Sequence, residues 1–420
     1  MHWEYLLCVL FFYLVFRSLK QRALFKNSGL SLKQLRLLLV IKIVFSVIAA
    51  YYFIHSNTID YLNFNNEGFL QYKILISQPL SFFDDLTTDI KNYGWRGVFS
   101  SSHSFWANLR FSFIYKLIAV LNLISHGNFY LNSMIFSSLV FVGNVSFFKI
   151  FNSIYENQKF KIILACFFIP SMLLYTSCIH KDGIVFICIA MIAYLLFRLY
   201  TNQNKSLRYF LLIFIFTSVL FILRNHIVFA LIPSIILGWL YHCLKRKKLI
   251  KLGLAYSLMI ASFFFVQFHN SNLAQILINR KTDFQIVSTG NTDIVLNDLK
   301  PNITIFLYNL PQALNHSFLR PYLFEFKMLS VNLTAIEILM YEFLILLFIF
   351  YRKSKYDKLH WFNVFGISLM LHLFLIIGYT IPNIGAIVRY RSIFWIFLIT
   401  PVLCNIDEKR IKWLPQFFKS

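Results

Sequence analysis

Acidic side chains are scarce in this chain. Seventeen Asp and Glu stand against 40 Lys and Arg, and charged residues of both signs make up only 14% of 420 positions. Soluble chains of ordinary composition carry about a quarter of their residues as charge, so that class is excluded. Glycine and proline are also few, at 13 and 9, and no linker or low-complexity tract is present. The six cysteines (Cys8, Cys166, Cys178, Cys188, Cys243, Cys404) form no CxxC pair and no ligand spacing. They read as packing residues in or beside apolar runs, not as a disulfide framework or a metal motif. The histidines form no HExxH. Metal binding therefore has no motif behind it, and no cofactor is called, with a divalent metal left open. The formal charge of +23 comes with no nucleic-acid motif, and nucleic acid is not expected as a partner.

What the chain does have is long apolar runs. Hydrophobic residues make up 58% of it. A bilayer solvates such a surface and water does not. Runs near twenty residues fit helices rather than the ten-residue alternating segments of a membrane barrel. The expectation is an all-α polytopic membrane protein, read as a single domain over 1–420. About eleven spans are predicted, at 1–17, 36–54, 131–151, 161–179, 183–200, 209–223, 227–244, 252–268, 332–351, 361–380 and 389–404. The first is read as a retained span, since Arg17, Lys20, Arg22 and Lys26 follow it and no basic segment precedes it.

Charge then sets sidedness. The basic connections at 17–26, 245–251, 351–358 and 407–413 are assigned to the cytoplasm by the positive-inside rule. This makes the sides alternate from residue 161 onward and puts the N-terminus outside. Residues 108–126 are apolar enough to span, but a crossing there would split the basic loops between two faces. An interfacial or re-entrant helix resolves that conflict, and Arg110, Lys116 and Asn122 fit a helix lying at the surface. Two outward-facing capping loops result, 55–130 and 269–331.

Polar residues collect on the outward face. HSNTIDYLNFNNEG supplies Asp60, Tyr61, Asn63 and Glu67, and SFFDDLTTD supplies Asp84, Asp85 and Asp89. The turn YTSCIHKDG supplies His180, Lys181 and Asp182. LRNH supplies Arg224 and His226, the second loop His316 and Arg320, and the last turn Arg389 and Arg391. Charge at a tight turn between membrane helices is a functional-site signal. Each residue also has a plain structural role open to it. Asp60 could hold a loop, Asp84 and Asp85 could cap a helix, and Asp182 could pair with His180 or Lys181. Arginines in short outward turns run against the positive-inside rule, so an anion is expected beside them. That anion is either a carboxylate in the bundle or a phosphate, which the guanidinium binds in two-pronged fashion.

An acidic residue after an early span (Asp60), an apolar helix at 108–126, and Pro170-Ser171-Met172-Leu173-Leu174-Tyr175 leading to His180-Lys181-Asp182 together resemble the GT-C superfamily of membrane glycosyltransferases. That superfamily includes protein O-mannosyltransferases and aminoarabinose transferases. The likeness covers roughly the first half of the chain. The chain departs from the pattern in its extra first span, in Ile-Asp-Tyr where an Asp-Glu pair is common, and in His-Lys-Asp where Arg-x-Asp is usual. The extra span and the VRYR turn are also similar to polymerases of bacterial surface polysaccharides.

The resemblance implies sugar transfer from a polyprenyl-phosphate-type donor at the non-cytoplasmic face, most simply of a bacterial inner membrane. The acceptor would be a glycan, lipid or protein. It implies Asp60 as the base and Asp182 as an orienting carboxylate. The donor would be bound by Lys181, Arg224, Arg320, Arg389 and Arg391, with Tyr61, His180 and His316 beside them. A repeat-unit polymerase, a transporter or flippase of lipid-linked sugar, and a non-catalytic assembly subunit are the other readings.

Overall fold

The computed structural model describes residues 3–56, 59–95, 97–98, 104–201, 206–244, 248–265, 267–268, 271–287, 292–325, 328–353 and 360–411. The basic loops at 245–251 and 351–358 and the tail 407–413 fall partly outside them. The described chain is overwhelmingly helical, with one antiparallel pair of two-residue strands, Gln267–Phe268 and Ser271–Asn272.

The helices are, in order, α1 (Trp3–Gln21), α2 (Ala23–Lys26), α3 (Leu32–His55), α4 (Ile59–Ser77), α5 (Asp84–Tyr93), α6 (Phe105–Ser125), α7 (Phe129–Ile154), α8 (Lys159–Phe167) and α9 (Pro170–Tyr175). They continue with α10 (Lys181–Thr201), α11 (Leu207–Cys243), α12 (Lys248–Phe265), α13 (Leu273–Val287), α14 (Ile303–Leu314), α15 (Leu329–Tyr351), α16 (Trp361–Thr380), α17 (Ile384–Arg391) and α18 (Ile396–Asn405). Among the described residues, seven are long and apolar enough to cross a membrane: α3, α6, α7, α10, α11, α15 and α16. The bent pair Ile384–Phe394 and Ile396–Asn405 makes an eighth if it counts as one span. The protein is an all-α membrane protein.

The count of eleven is not what the helices give directly. Expected spans 209–223 and 227–244 both fall on α11, which is two helical stretches meeting at a kink where Arg224 leaves helical geometry (φ −151°, ψ 78°). Expected span 161–179 is broken into α8 and α9, and its last residues form a turn. Expected span 252–268 overlaps α12, whose apolar stretch is Ile250–Phe265, and its last two residues form the strand Gln267–Phe268. Residues 108–126 are α6, itself long enough to cross.

The chain packs as two compact units. The first is Met1–Ser153, Cys166–Phe168 and Met172–Asn225; the second is Ile154–Ala165, Ile169–Ser171 and His226–Ser420. In the first, α3 starts at a reciprocal capping box, Gln34 N donating to Ser31 Oγ (3.2 Å) and Ser31 N to Gln34 Oε1 (3.0 Å). Helix α4 packs along α6. A Cβ at Gly68 would lie 2.3 Å from Ile118 Cγ2, so only glycine allows that approach.

In the second unit, α15 inverts the soluble pattern. Leu333, Ile336, Leu339, Met340, Phe343 and Leu346 point outward, while Ser330, Thr334, Glu337 and Tyr341 are buried. That arrangement suits a helix whose outer face meets lipid. The end of α18 is tied down by Lys161, which donates to Ile406 O (3.2 Å) and pairs with Glu408 (2.9 Å).

Candidate functional site

Helix α9 ends at Tyr175, and two hydroxyls satisfy its last carbonyls. Thr176 Oγ1 donates to Met172 O (2.7 Å) and Ser177 Oγ to Leu173 O (2.5 Å). The chain turns through Cys178–His180 and starts α10 at Lys181, which places Asp182 in the first turn, where the helix dipole favours a carboxylate. Gly183 follows. A Cβ there would meet Phe136 at 2.5 Å, so glycine lets α10 close on α7 and seals the carboxylate in. Asp182 Oδ2 lies 2.8 Å from His180 Nδ1, and Oδ1 pairs with the Arg224 guanidinium. Arg224 reaches it because α11 breaks at that residue. Asn225 Nδ2, donating to Val98 O (2.8 Å), anchors the other side of the break. The Asp182 and Arg224 side chains are 2% and 6% exposed.

Helix α4 supplies an aromatic wall. The Tyr61 ring stacks on Phe53 (3.9 Å between centroids, 9°) and packs against His180 (4.8 Å). Phe64 meets His180 edge-on at 5.3 Å. The half-buried Lys181 ammonium lies over the rings of Phe64 (5.9 Å) and Phe111 (5.4 Å). Asp60, one residue before Tyr61, is exposed. Six residues expected from the sequence therefore belong to the first unit: Asp60, Tyr61, His180, Lys181, Asp182 and Arg224. Four of them (Tyr61, His180, Asp182 and Arg224) are linked by direct contact.

Asp85 and Asp89 do other work. Asp85 pairs with Lys116 (2.9 Å) and accepts from Ser112 Oγ (2.6 Å), and Asp89 accepts from Asn108 Nδ2 (2.9 Å). These bonds fasten α5 to α6. Lys116 and Asn122 are buried, so these two polar side chains of α6 find their partners in neighbouring elements. Asn122 Oδ1 accepts from Asn132 Nδ2 (2.6 Å) and Ser125 Oγ (3.1 Å).

The remaining candidates lie in the second unit. His316 is buried in the π-turn Asn315–Leu319. Burial, and then the neighbouring Arg320 charge, hold its pKa down to about 4, so the ring is neutral. Arg320 pairs with Glu325. Arg391 is buried, donates from Nη1 to Ser317 O (2.6 Å) and lies over Trp395 (5.9 Å). Arg389 lies over Tyr390 at 5.3 Å.

Lys42 and Glu337, buried ionisable residues deep within predicted spans, were not singled out in the sequence. Glu337 accepts from Ser171 N (2.8 Å), Ser171 Oγ (2.7 Å) and the Tyr341 hydroxyl. Lys42 Nζ donates to Thr176 Oγ1 (3.1 Å). The available signal was an ionisable residue inside an apolar run. Among the described residues, no three His, Cys, Asp or Glu gather as a metal site. No family model, curated protein or solved structure matches the chain.

Proposed function

We propose that the chain is a membrane-embedded glycosyltransferase that moves a sugar from a polyprenyl-phosphate-type donor to an acceptor at the non-cytoplasmic face, as in a bacterial inner membrane. One observation carries the reading. The buried Asp182–Arg224–His180 cluster adjoins the half-buried Lys181, and the Tyr61 ring that packs on His180 follows the exposed Asp60. A fixed acid–cation pair, an ammonium next to it in sequence, and an exposed carboxylate on the helix whose Tyr61 packs on His180 suit a reaction that needs a base and a stabilised anionic leaving group.

The acceptor hydroxyl oxygen attacks the anomeric carbon, and its proton passes to the Asp60 carboxylate. The carbon–oxygen bond to the phosphate breaks, and its electron pair leaves on the lipid phosphate. Lys181 and Arg224 supply the positive charge that stabilises it. Asp182 orients His180 and Arg224. The rings of Tyr61 and Phe64 offer apolar faces on which a sugar can pack. His316, Arg320, Arg389 and Arg391 form a further phosphate-binding set in the second unit.

The topology that goes with this reading has eleven crossings. The α8–α9 stretch makes one, α11 counts twice about Arg224, and α6 lies at the outer interface. Cysteines placed at Lys91 and Tyr130 are then labelled from the same side; labelling from opposite sides ends the interfacial assignment.

Repeat-unit polymerisation is the same chemistry with a lipid-linked glycan as acceptor. A transporter of lipid-linked sugar is the second reading, favoured by Lys42 and Glu337, which are buried in helices long enough to cross. Purified protein given polyprenyl-linked sugar separates the two. A transferase yields an altered glycan, and a transporter moves the lipid unchanged.

A further inference from the structure

Lys42 sits near the middle of α3, 2% exposed, in a helix long and apolar enough to span. Its ammonium has three donors, yet Thr176 Oγ1 is the acceptor it reaches, and no carboxylate pairs with it among the described residues. A methionine would fill the same volume without the cost of burying a charge. The ammonium is therefore retained at a cost, and its one bond goes to the segment that leads into the candidate site.

That bond belongs to a larger contact. Lys42, Ser46, Ala49, Ala50 and Phe53 recur at helical spacing on the buried face of α3. One turn beyond Lys42, Ser46 O accepts from Cys178 Sγ (3.7 Å). Further along, Phe53 packs on Tyr175 (6.4 Å) and stacks on Tyr61, which itself packs on His180. From the other side, Ser137 Oγ of α7 donates to Lys42 O (3.3 Å) and fixes the rail. Thr176 gives its own proton to Met172 O, so its oxygen is turned to accept from Lys42. The residues gripped, Tyr175, Thr176 and Cys178, immediately precede His180, Lys181 and Asp182.

We propose that Lys42 is a positioning residue for the candidate site. Its ammonium holds Thr176, and through it the 176–180 turn, in the register that sets Asp182 against His180 and Arg224. The functional half of this statement rests on the transferase reading; the grip itself does not.

The test uses the full-length protein with the exposed Cys243 changed to Ser and reads two quantities. The first is maleimide labelling of Cys178, located by mass spectrometry. Cys178 is fully buried and lies two residues from Thr176. Lys42→Met and Thr176→Val should label at least about tenfold faster than the parent, because the turn opens locally. Thr176→Ser, which keeps the hydroxyl, should label at the parent rate. The second quantity is steady-state transfer. In the two loosened variants kcat should fall about tenfold to a hundredfold with donor KM unchanged, as expected for misplaced reacting groups.

The melting temperature of Lys42→Met should equal or exceed that of the parent, since replacing a buried charge by a matched apolar side chain is neutral or stabilising. If that variant does not fold, Thr176→Val carries the same test with no change of volume. Cys178 protection in both variants overturns the grip. A loosened turn with unchanged kcat overturns the positioning role. A parent protein without transfer activity defeats the transferase reading and the positioning role with it, while the labelling still decides the grip.

Discussion

The two units each hold an arginine paired with a carboxylate and a histidine close by, and the resemblance ends there. Asp182 and Arg224 are 42 residues apart, and their side chains are 2% and 6% exposed. Arg320 and Glu325 are five apart, and theirs are 21% and 16% exposed. The first pair exists only because α11 breaks at Arg224 and Gly183 lets α10 close on α7. The second forms within one turn of chain. In the first, the carboxylate binds a second partner, His180; in the second, it also accepts the Tyr322 backbone N–H (3.0 Å). Residue type alone rates the two arginines as equal members of a phosphate clamp. Burial separates them: the Asp182–Arg224 pair is sealed inside its unit, and the Arg320–Glu325 pair is partly reached by solvent.

The comparison breaks most visibly at Asp182. Asp182→Ala leaves the Arg224 charge buried and uncompensated, and should cost about 3–5 kcal/mol of stability. Replacing both partners, as in Asp182→Leu with Arg224→Met, should recover most of that in a thermal unfolding measurement while leaving transfer abolished. A double variant as unstable as the single one would mean that the pair does more than neutralise itself. Glu325→Ala tests the other side. For a pair that solvent reaches, the loss should be no more than about 1 kcal/mol. A loss as large as that at Asp182 would erase the distinction between the pairs.

A pH-dependent effect is expected at His316. Its folded pKa of about 4 lies below the ordinary 6.5, so between those values the unfolded chain binds more protons. The contribution is complete above pH 6.5 and is lost as pH falls from there toward 4. His316→Gln should flatten the stability profile across that window. An unchanged profile would remove His316 as the cause.

Much of this could be read in the sequence, for identifiable reasons. The apolar runs are long enough that α3, α7, α10, α15 and α16 were visible, and His180-Lys181-Asp182 stood out as charge at the end of a run. The polar interruption at Arg224 was visible in the sequence, and the helix breaks there, at a kink between two helical stretches. The partner of Arg224 was not visible, because no local pattern reports a contact made across 42 residues. Lys42 and Glu337 were overlooked because a span-length average of hydropathy dilutes one charge among many leucines and phenylalanines. The burial of Lys116 and Asn122 was not legible because their partners, Asp85 and Asn132, come from other helices.

The central claim is that the first unit holds a base-and-cation site for sugar transfer, with the exposed Asp60 as the base. The direct measurement is transfer from a labelled polyprenyl-phosphate sugar by reconstituted wild-type protein and by Asp60→Asn, each checked for folding by thermal unfolding. The account predicts an altered glycan with wild type. For Asp60→Asn it predicts a loss of about 10²- to 10⁴-fold, the usual range for a general base, with an unchanged melting temperature. Labelled lipid recovered unaltered on the opposite side of the membrane, or an Asp60→Asn variant as active as wild type, would contradict it.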